Sequence, residues 1–268
     1  MKDLSGKVAL ITGGGSGIGR GTALALAATG CHVVVADIDG ARATEVAREA
    51  VGLGPECVGM SLDVTRQEDF DAARQAMLAR FGRVDIVMNN VGVIAAGLPE
   101  HIPMVEWERI VSTNLLSVVR SNAAFLPLLL RQGSGHIVNT ASTAGLFAYA
   151  YERLPYSATK AAVIAVSEAL ALYLRPRGIG VTCLCPGPVT TNIGQAVTFS
   201  GPPVRMRGPG RGLAALSPER VGDQVVQAIR DDQFLLLTHP ELSAVLVRRA
   251  EDPESFLDGQ IAAIAQEE

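Results

Sequence analysis

Tyr156 and Lys160 stand four residues apart in the run Tyr156-Ser157-Ala158-Thr159-Lys160, a spacing that puts both side chains on one face of a helix. A phenol with its ordinary pKa of about 10 is a poor base, so a proton-transfer role for the tyrosine requires a nearby cation that favours phenolate. Lys160, one turn on, can supply that charge. Ser142 follows the apolar run at 135–140 and can hold a substrate oxygen against the tyrosine by a hydrogen bond. The three together suit an alcohol whose proton leaves as hydride leaves its carbon. Taken alone they also fit a loop serine, an aromatic helix start and a solvated lysine, and only a hydride carrier nearby turns them into chemistry.

A site for such a carrier lies near the start, in Thr12-Gly13-Gly14-Gly15-Ser16-Gly17-Ile18-Gly19. It follows the apolar run Lys7 to Thr12 and precedes the Ala- and Leu-rich stretch Ile18 to Thr29, closed by Gly30. That order reads as buried strand, tight turn and helix. The turn glycines permit positive φ and close approach of a pyrophosphate, and the helix N-terminus offers free N–H groups. Gly13, Gly15, Ser16, Gly17, Ile18 and Gly19 are therefore the first cofactor-binding candidates. The next strand, His32 to Ala36, ends at Asp37, a carboxylate able to bind a ribose 2′-OH and to repel a 2′-phosphate. With Ser16 where a basic residue could grip that phosphate, the expected cofactor is NAD. Asp39 and Arg42 read as solvated charges, although Arg42 could reach the adenosine edge.

The elements that must position these residues alternate along all 268 residues without a polar linker. Strands are expected at Cys57 to Leu62, Asp85 to Asn89, Gly135 to Thr140, Gly180 to Cys185 and Phe234 to Leu237. Helices are expected at Gln67 to Phe81, Pro103 to Leu130 and Tyr156 to Arg175, with helix starts at Ser217 and Asp252. This rhythm predicts one α/β domain over 1–268, a Rossmann-like doubly wound parallel sheet of about seven strands with helices on both faces. A loop at about 193–216, rich in Gly and Pro, is expected to form a substrate lid, and about 240–268 a C-terminal helical extension. A net charge of −4 and 19% charged residues, without a basic stripe, argue against nucleic-acid and membrane partners. Cys31, Cys57, Cys183 and Cys185 lack metal-ligand spacing and read as reduced thiols, and no metal is expected. The N-terminus lacks a signal-peptide layout, so the expectation is a soluble, cytoplasmic protein.

Ligands of such sheets bind at the carboxyl ends of the strands, where Asp63-Val64 and Asn89-Asn90-Val91-Gly92 fall. Asp63 could border an adenine or cap the next helix, and Asn90, Val91 and Gly92 could shape the cofactor groove or merely form a turn.

These motifs resemble those of the short-chain dehydrogenase/reductase family over nearly the whole chain. The resemblance implies that Asn114 joins Ser142, Tyr156 and Lys160 in a catalytic tetrad, maintaining the long helix and a water path from Lys160. It also implies a nicotinamide-side loop at Pro186-Gly187-Pro188-Val189-Thr190-Thr191, where Pro186, Gly187, Val189 and Thr191 contact the cofactor. Val91 departs from the family's usual alanine. Pairing of the long helices across a two-fold axis implies a homo-oligomer, tetramer or dimer, through residues such as Leu115, Val118, Val119, Val163, Val166 and Leu170.

Val93, Ile94, Leu146 to Tyr149, Ile193, Ala196, Val197 and Phe199 favour an apolar or cyclic secondary alcohol as the small-molecule substrate. The loop is expected to be poorly ordered without ligand and to close over the nicotinamide end, with Phe199, Val204 and Met206 then excluding water from the reacting carbon. Arg205, Arg207 and Arg211 read as solvated lid charges, although they could meet a carboxylate or a coenzyme A phosphate. The alternatives are an acyl-CoA or acyl-carrier-protein 3-ketoreductase and a catalytically silent NAD-binding regulator.

Overall fold

The computed structural model describes residues 1–209 and 212–267. The run after Lys7 forms strand β1 (Val8–Thr12), buried along its whole length. The remaining strands are β2 (His32–Asp37), β3 (Cys57–Ser61), β4 (Ile86–Asn89), β5 (Ala95–Gly97), β6 (Gly135–Thr140), β7 (Ile179–Cys185), β8 (Thr198–Ser200) and β9 (Leu235–Leu237). Seven of them make one parallel sheet in the order β3-β2-β1-β4-β6-β7-β9. The strand order reverses between β1 and β4, and the crevice at their carboxyl ends is where such sheets bind ligands.

The helices are α1 (Gly17–Ala27), α2 (Gly40–Val51), α3 (Gln67–Phe81), α4 (Met104–Val111), α5 (Ser117–Gln132), α6 (Thr143–Leu146), α7 (Leu154–Leu174), α8 (Pro218–Asp231), α9 (Ser243–Glu251) and α10 (Pro253–Ala265). Ala23 and Leu26 of α1 and Val225 and Ile229 of α8 cover one face of the sheet together with α2. Phe70 and Met77 of α3 and Phe125 of α5 cover the other, which is the doubly wound arrangement expected. The expected stop and start signals act through identifiable contacts. Gly82 ends α3 in the left-handed conformation, Ser217 accepts from the Arg220 N–H to cap α8, and Asp252 accepts from the Ser255 N–H to cap α10.

Two features depart from the sequence reading. The single helix expected at Pro103 to Leu130 is two helices, α4 and α5, joined by a π turn at Ser112–Leu116. The segment expected to be a lid without regular structure carries strand β8, which pairs in parallel with β5 apart from the main sheet. By length and composition alone, Met104–Gln132 and Leu154–Arg177 could cross a membrane. Here both lie along the sheet, and their inner residues Val118, Phe125, Val163 and Leu174 belong to the core.

Helices α1 and α8 touch backbone to backbone. A Cβ on Gly21 would fall 2.1 Å from the Pro218 carbonyl oxygen, and one on Gly222 would fall 2.3 Å from the Gly21 oxygen. Neither neighbour is a side chain that can swing aside. Gly21→Ala should therefore destabilise the fold by about 1–3 kcal/mol through forced separation of the two helices, read as a lower denaturation midpoint at unchanged slope.

Candidate active site

A cleft of about 560 Å³ runs along the carboxyl ends of the strands. It gathers Gly13, Ser16, Gly17, Ile18, Asp37, Asp63, Val64, Asn90, Val91, Gly92, Ser142, Tyr156, Lys160, Pro186, Gly187, Val189 and Thr191. Three candidates stand behind the wall instead. Gly15 donates its N–H to Asp37 Oδ2 at 3.0 Å, Gly19 lets α1 close on the Gly13 carbonyl, 2.1 Å from where a Cβ would lie, and Asn114 is buried under the substrate end.

At the dinucleotide end, Gly13 and Gly17 take φ of +62° and +51°, conformations that L side chains avoid. Ser16 occupies the N-cap position of α1 without capping it through its side chain, which leaves first-turn amides for a ligand anion. Asp37 is fixed by the Gly15 and Asp39 N–H groups at 3.0 and 3.1 Å, so its carboxylate is held at the rim. Asp63 does not cap α3, whose N-cap is Arg66. It accepts from the Thr65 N–H and hydroxyl at 2.8 and 2.7 Å, and these bonds hold its carboxyl below the usual range. Asn90 ties the turn to its neighbours by taking the Thr140 hydroxyl at 3.3 Å and donating to the Gly13 carbonyl at 3.3 Å. These residues fit a nicotinamide dinucleotide: the first-turn amides of α1 could receive phosphates and the Asp37 carboxylate a ribose hydroxyl. Ile38, 73% exposed on the same rim, went unread in the sequence. Its position directly after the strand-ending acid was the available signal.

At the other end, Tyr156 and Ser142 are joined by a side-chain hydrogen bond, and burial pushes the phenol up to about 12 against that bond. Lys160 is 2% exposed. Its Nζ donates to the Thr140 carbonyl at 2.7 Å and lies 5.8 Å from the centre of the Tyr156 ring. Burial pulls this amine down to about 8. In the protein by itself, desolvation is the largest influence on both groups.

The π turn explains Asn114. Its Oδ1 accepts from the Val93 N–H and its Nδ2 donates to the Val93 carbonyl, both at 2.9 Å, with Thr159 Oγ1 a further acceptor at 3.3 Å. The widened turn swings the amide inward to pair with the loop before β5. Asn114 thus serves a broken helix, where a continuous one was expected.

The loop residues divide. In the protein by itself Val197 and Met206 pack on Ile94, Ala144 and Tyr156, and Phe199 is 56% exposed. Arg207 is buried against Glu152 at 3.2 Å rather than solvated. Arg205 remains exposed and reaches the Glu267 carbonyl at 3.1 Å, while Gly210 and Arg211 lie outside the described residues. Glu152 itself was not foreseen, since an isolated acid before a helix carries no spacing signal.

A cleft that starts at a phosphate turn and ends at two hydroxyls beside a buried ammonium belongs to the nicotinamide-dependent oxidoreductases. Residues 7–199 match the family model described as short chain dehydrogenase, and the chain is a member of the short-chain dehydrogenase/reductase family, whose enzymes use nicotinamide cofactors. A short-chain dehydrogenase/reductase from Burkholderia phymatum in complex with NAD superposes with a TM-score of 0.84 at 33% identity, over 95% of this chain and 96% of that one. Cyclohexanol dehydrogenase of Acinetobacter is 38% identical over 186 residues, 69% of this chain and 74% of that protein. The "Probable oxidoreductase EphD" of Mycobacterium tuberculosis is 34% identical over 245 residues, 88% of this chain, and the chain spans only 41% of that relative's length.

Asn114→Ala would leave the Val93 N–H and C=O without partners. The expected result is a loss of about 1–3 kcal/mol of stability together with a fall in turnover larger than the fall in cofactor affinity, measured by denaturation, steady-state kinetics and NADH fluorescence titration.

Proposed function

We propose that this protein transfers hydride between NAD(H) and a secondary alcohol or ketone of apolar, often cyclic, character. The observation that carries this reading is the Ser142–Tyr156 hydroxyl pair at the end of the cleft opposite Asp37, with Lys160 beneath it. A nicotinamide cofactor held by the glycine turn and Asp37 would accept or supply the hydride. Ser142 holds the substrate oxygen, and Tyr156 Oη takes the alcohol proton in oxidation or returns it in reduction. Lys160 supplies positive charge beneath the site and passes protons onward, and Asn114 keeps Val93 in place at the wall. Val93, Ile193 and Ala196 line this end with the Ile94, Val197 and Met206 cluster behind them, walls that favour hydrocarbon over a free sugar. The cyclohexanol dehydrogenase relative supports the same class.

NAD is proposed over NADP because the fixed Asp37 carboxylate would oppose a 2′-phosphate. This favours NAD in an alcohol dehydrogenase over an NADP-directed acyl ketoreductase. A homo-oligomer and a cytoplasmic location are also proposed. Of the helix residues expected at the interface, Val118 and Val163 are used in the chain's own core, Leu115, Val166 and Leu170 pack partly against it, and Val119 stands exposed, as do the unforeseen Leu116, Leu172 and Tyr173 of the π turn and α7. A monomeric mass by light scattering at micromolar concentration would oppose the oligomer.

Two outcomes test the chemistry. kcat/KM with NAD should exceed that with NADP at least tenfold, about 1.4 kcal/mol, and Asp37→Ala should narrow the gap by restoring NADP. Equal use of both cofactors by the parent would count against the assignment. Tyr156→Phe should abolish nearly all turnover on a panel of cyclic and linear secondary alcohols while NADH still binds. Since burial raises the phenol, alcohol oxidation should gain rate as pH rises and ketone reduction should gain as it falls. Substantial activity in Tyr156→Phe would place the base elsewhere.

A further inference from the structure

Glu152 is fully buried, 0% exposed, just ahead of α7, and the chemistry above does not use it. A buried carboxylate must be paired, and this one is paired from two directions. Its Oε1 accepts from the Arg207 backbone N–H at 2.7 Å and from Arg153 Nη2 at 3.4 Å, and its Oε2 accepts from Arg207 Nη1 at 3.2 Å. Arg207 comes from the loop over the substrate end. Arg153 stands at the N-cap of α7, three residues before Tyr156. Both guanidinium groups are buried. Arg153 lies 5.4 Å over the Tyr149 ring, and Tyr149 packs in the same cluster as Tyr156. Arg153 Nε has no hydrogen-bond partner among the described residues, so the Glu152 carboxylate satisfies this cation only in part. Beyond Arg207, Glu267 approaches its Nε at 3.8 Å.

The division of one carboxylate between two cations depends on the loop. With Arg207 seated, Glu152 is shared and much of the Arg153 charge is uncompensated next to the tyrosines. With Arg207 withdrawn, Glu152 belongs to Arg153 alone. We propose that Glu152 is a positioning residue that makes the field at Tyr156 depend on the loop, so that seating Arg207 frees the Arg153 cation to act on the proton-transfer tyrosine. The proposal rests on the reading of Tyr156 as the proton-transfer group. The other titratable or charged groups facing Tyr156 are Lys160 from its own helix, Tyr149 from the loop between α6 and α7 and Cys185 from β7, with Ser142 as hydrogen-bond partner. Among them Arg153 favours the phenolate, while Tyr149 and Cys185 oppose it.

The test is a tyrosinate absorbance titration of the full chain, with the Tyr156 transition taken as the difference from the same protein carrying Tyr156→Phe. Glu152→Gln keeps an acceptor for the Arg207 N–H but removes the charge, and should lower the Tyr156 midpoint by at least about half a pH unit. Adding Arg153→Met to Glu152→Gln should reverse that shift, and adding Arg153→Lys should preserve it. Adding Arg207→Met to Glu152→Gln should change the midpoint little, because Arg207 acts through the carboxylate that is gone. A Glu152→Gln midpoint at or above the parent's, or one that ignores Arg153→Met, overturns the proposal and leaves the cluster as a structural pin. The titration needs no turnover, so a failure of the catalytic reading, seen as activity in Tyr156→Phe, is a separate result.

Discussion

An ammonium group held almost entirely out of water is the constraint around which this molecule is arranged. Lys160 must lose hydration to sit beneath the cleft, and a buried cation is tolerated only where oxygen atoms or opposite charge meet it. The Thr140 carbonyl at the end of β6 supplies one partner. Gly92 leaves the room: a Cβ there would lie 3.2 Å from Nζ. Gly145 allows the next layer, since its Cβ would fall 2.5 Å from the Lys160 carbonyl carbon and would push α6 away from α7. The end of β6 and the turn after β4 thus both meet the side chain of Lys160, and α6 meets the backbone of the same residue.

Buried polar side chains, more than apolar packing, join the strand ends into a site. Asn90 ties the glycine turn to β6, and Asn114 ties the π turn to Val93. Beneath them Asn89 donates to Asn139, which donates to Ser167 on α7, at 2.8 and 3.0 Å. Each bond is modest in net worth, but each would leave a buried group unpaired if broken. Such a network resists small displacements of one strand relative to the next.

The order of strands and helices, the glycine turn before α1, and the placement of Asp37, Ser142, Tyr156 and Lys160 along one cleft were legible in the sequence because each follows from short-range rules. Apolar runs, cap residues, glycine spacing and a helical turn of four residues are all local. What escaped depended on contacts distant in the chain. The break at Ser112–Leu116 arises from an amide that pairs with Val93, and no helix propensity reports that pairing. β8 exists because β5 offers it an edge about a hundred residues away in sequence, and Arg207 is buried because Glu152 lies where the loop lands. Val118 and Val163 were misread as interface residues for a related reason. A helix lying over a sheet between neighbouring helices buries more of its circumference than a single apolar stripe suggests.

The backbone contact of α1 with α8 has a mechanical consequence for the chain between the sixth and seventh strands of the main sheet. With Gly21 and Gly222 leaving no gap between the two helices, the segment's far end at Ser217 is mounted on the body that carries the phosphate turn. Its near end is mounted on β5 through the Ala95 to Gly97 ladder. Among the described residues between them Arg207 is held on Glu152, so the segment is moored at both ends and once along its length, and to swing away from the cleft as a unit it would have to break all three attachments.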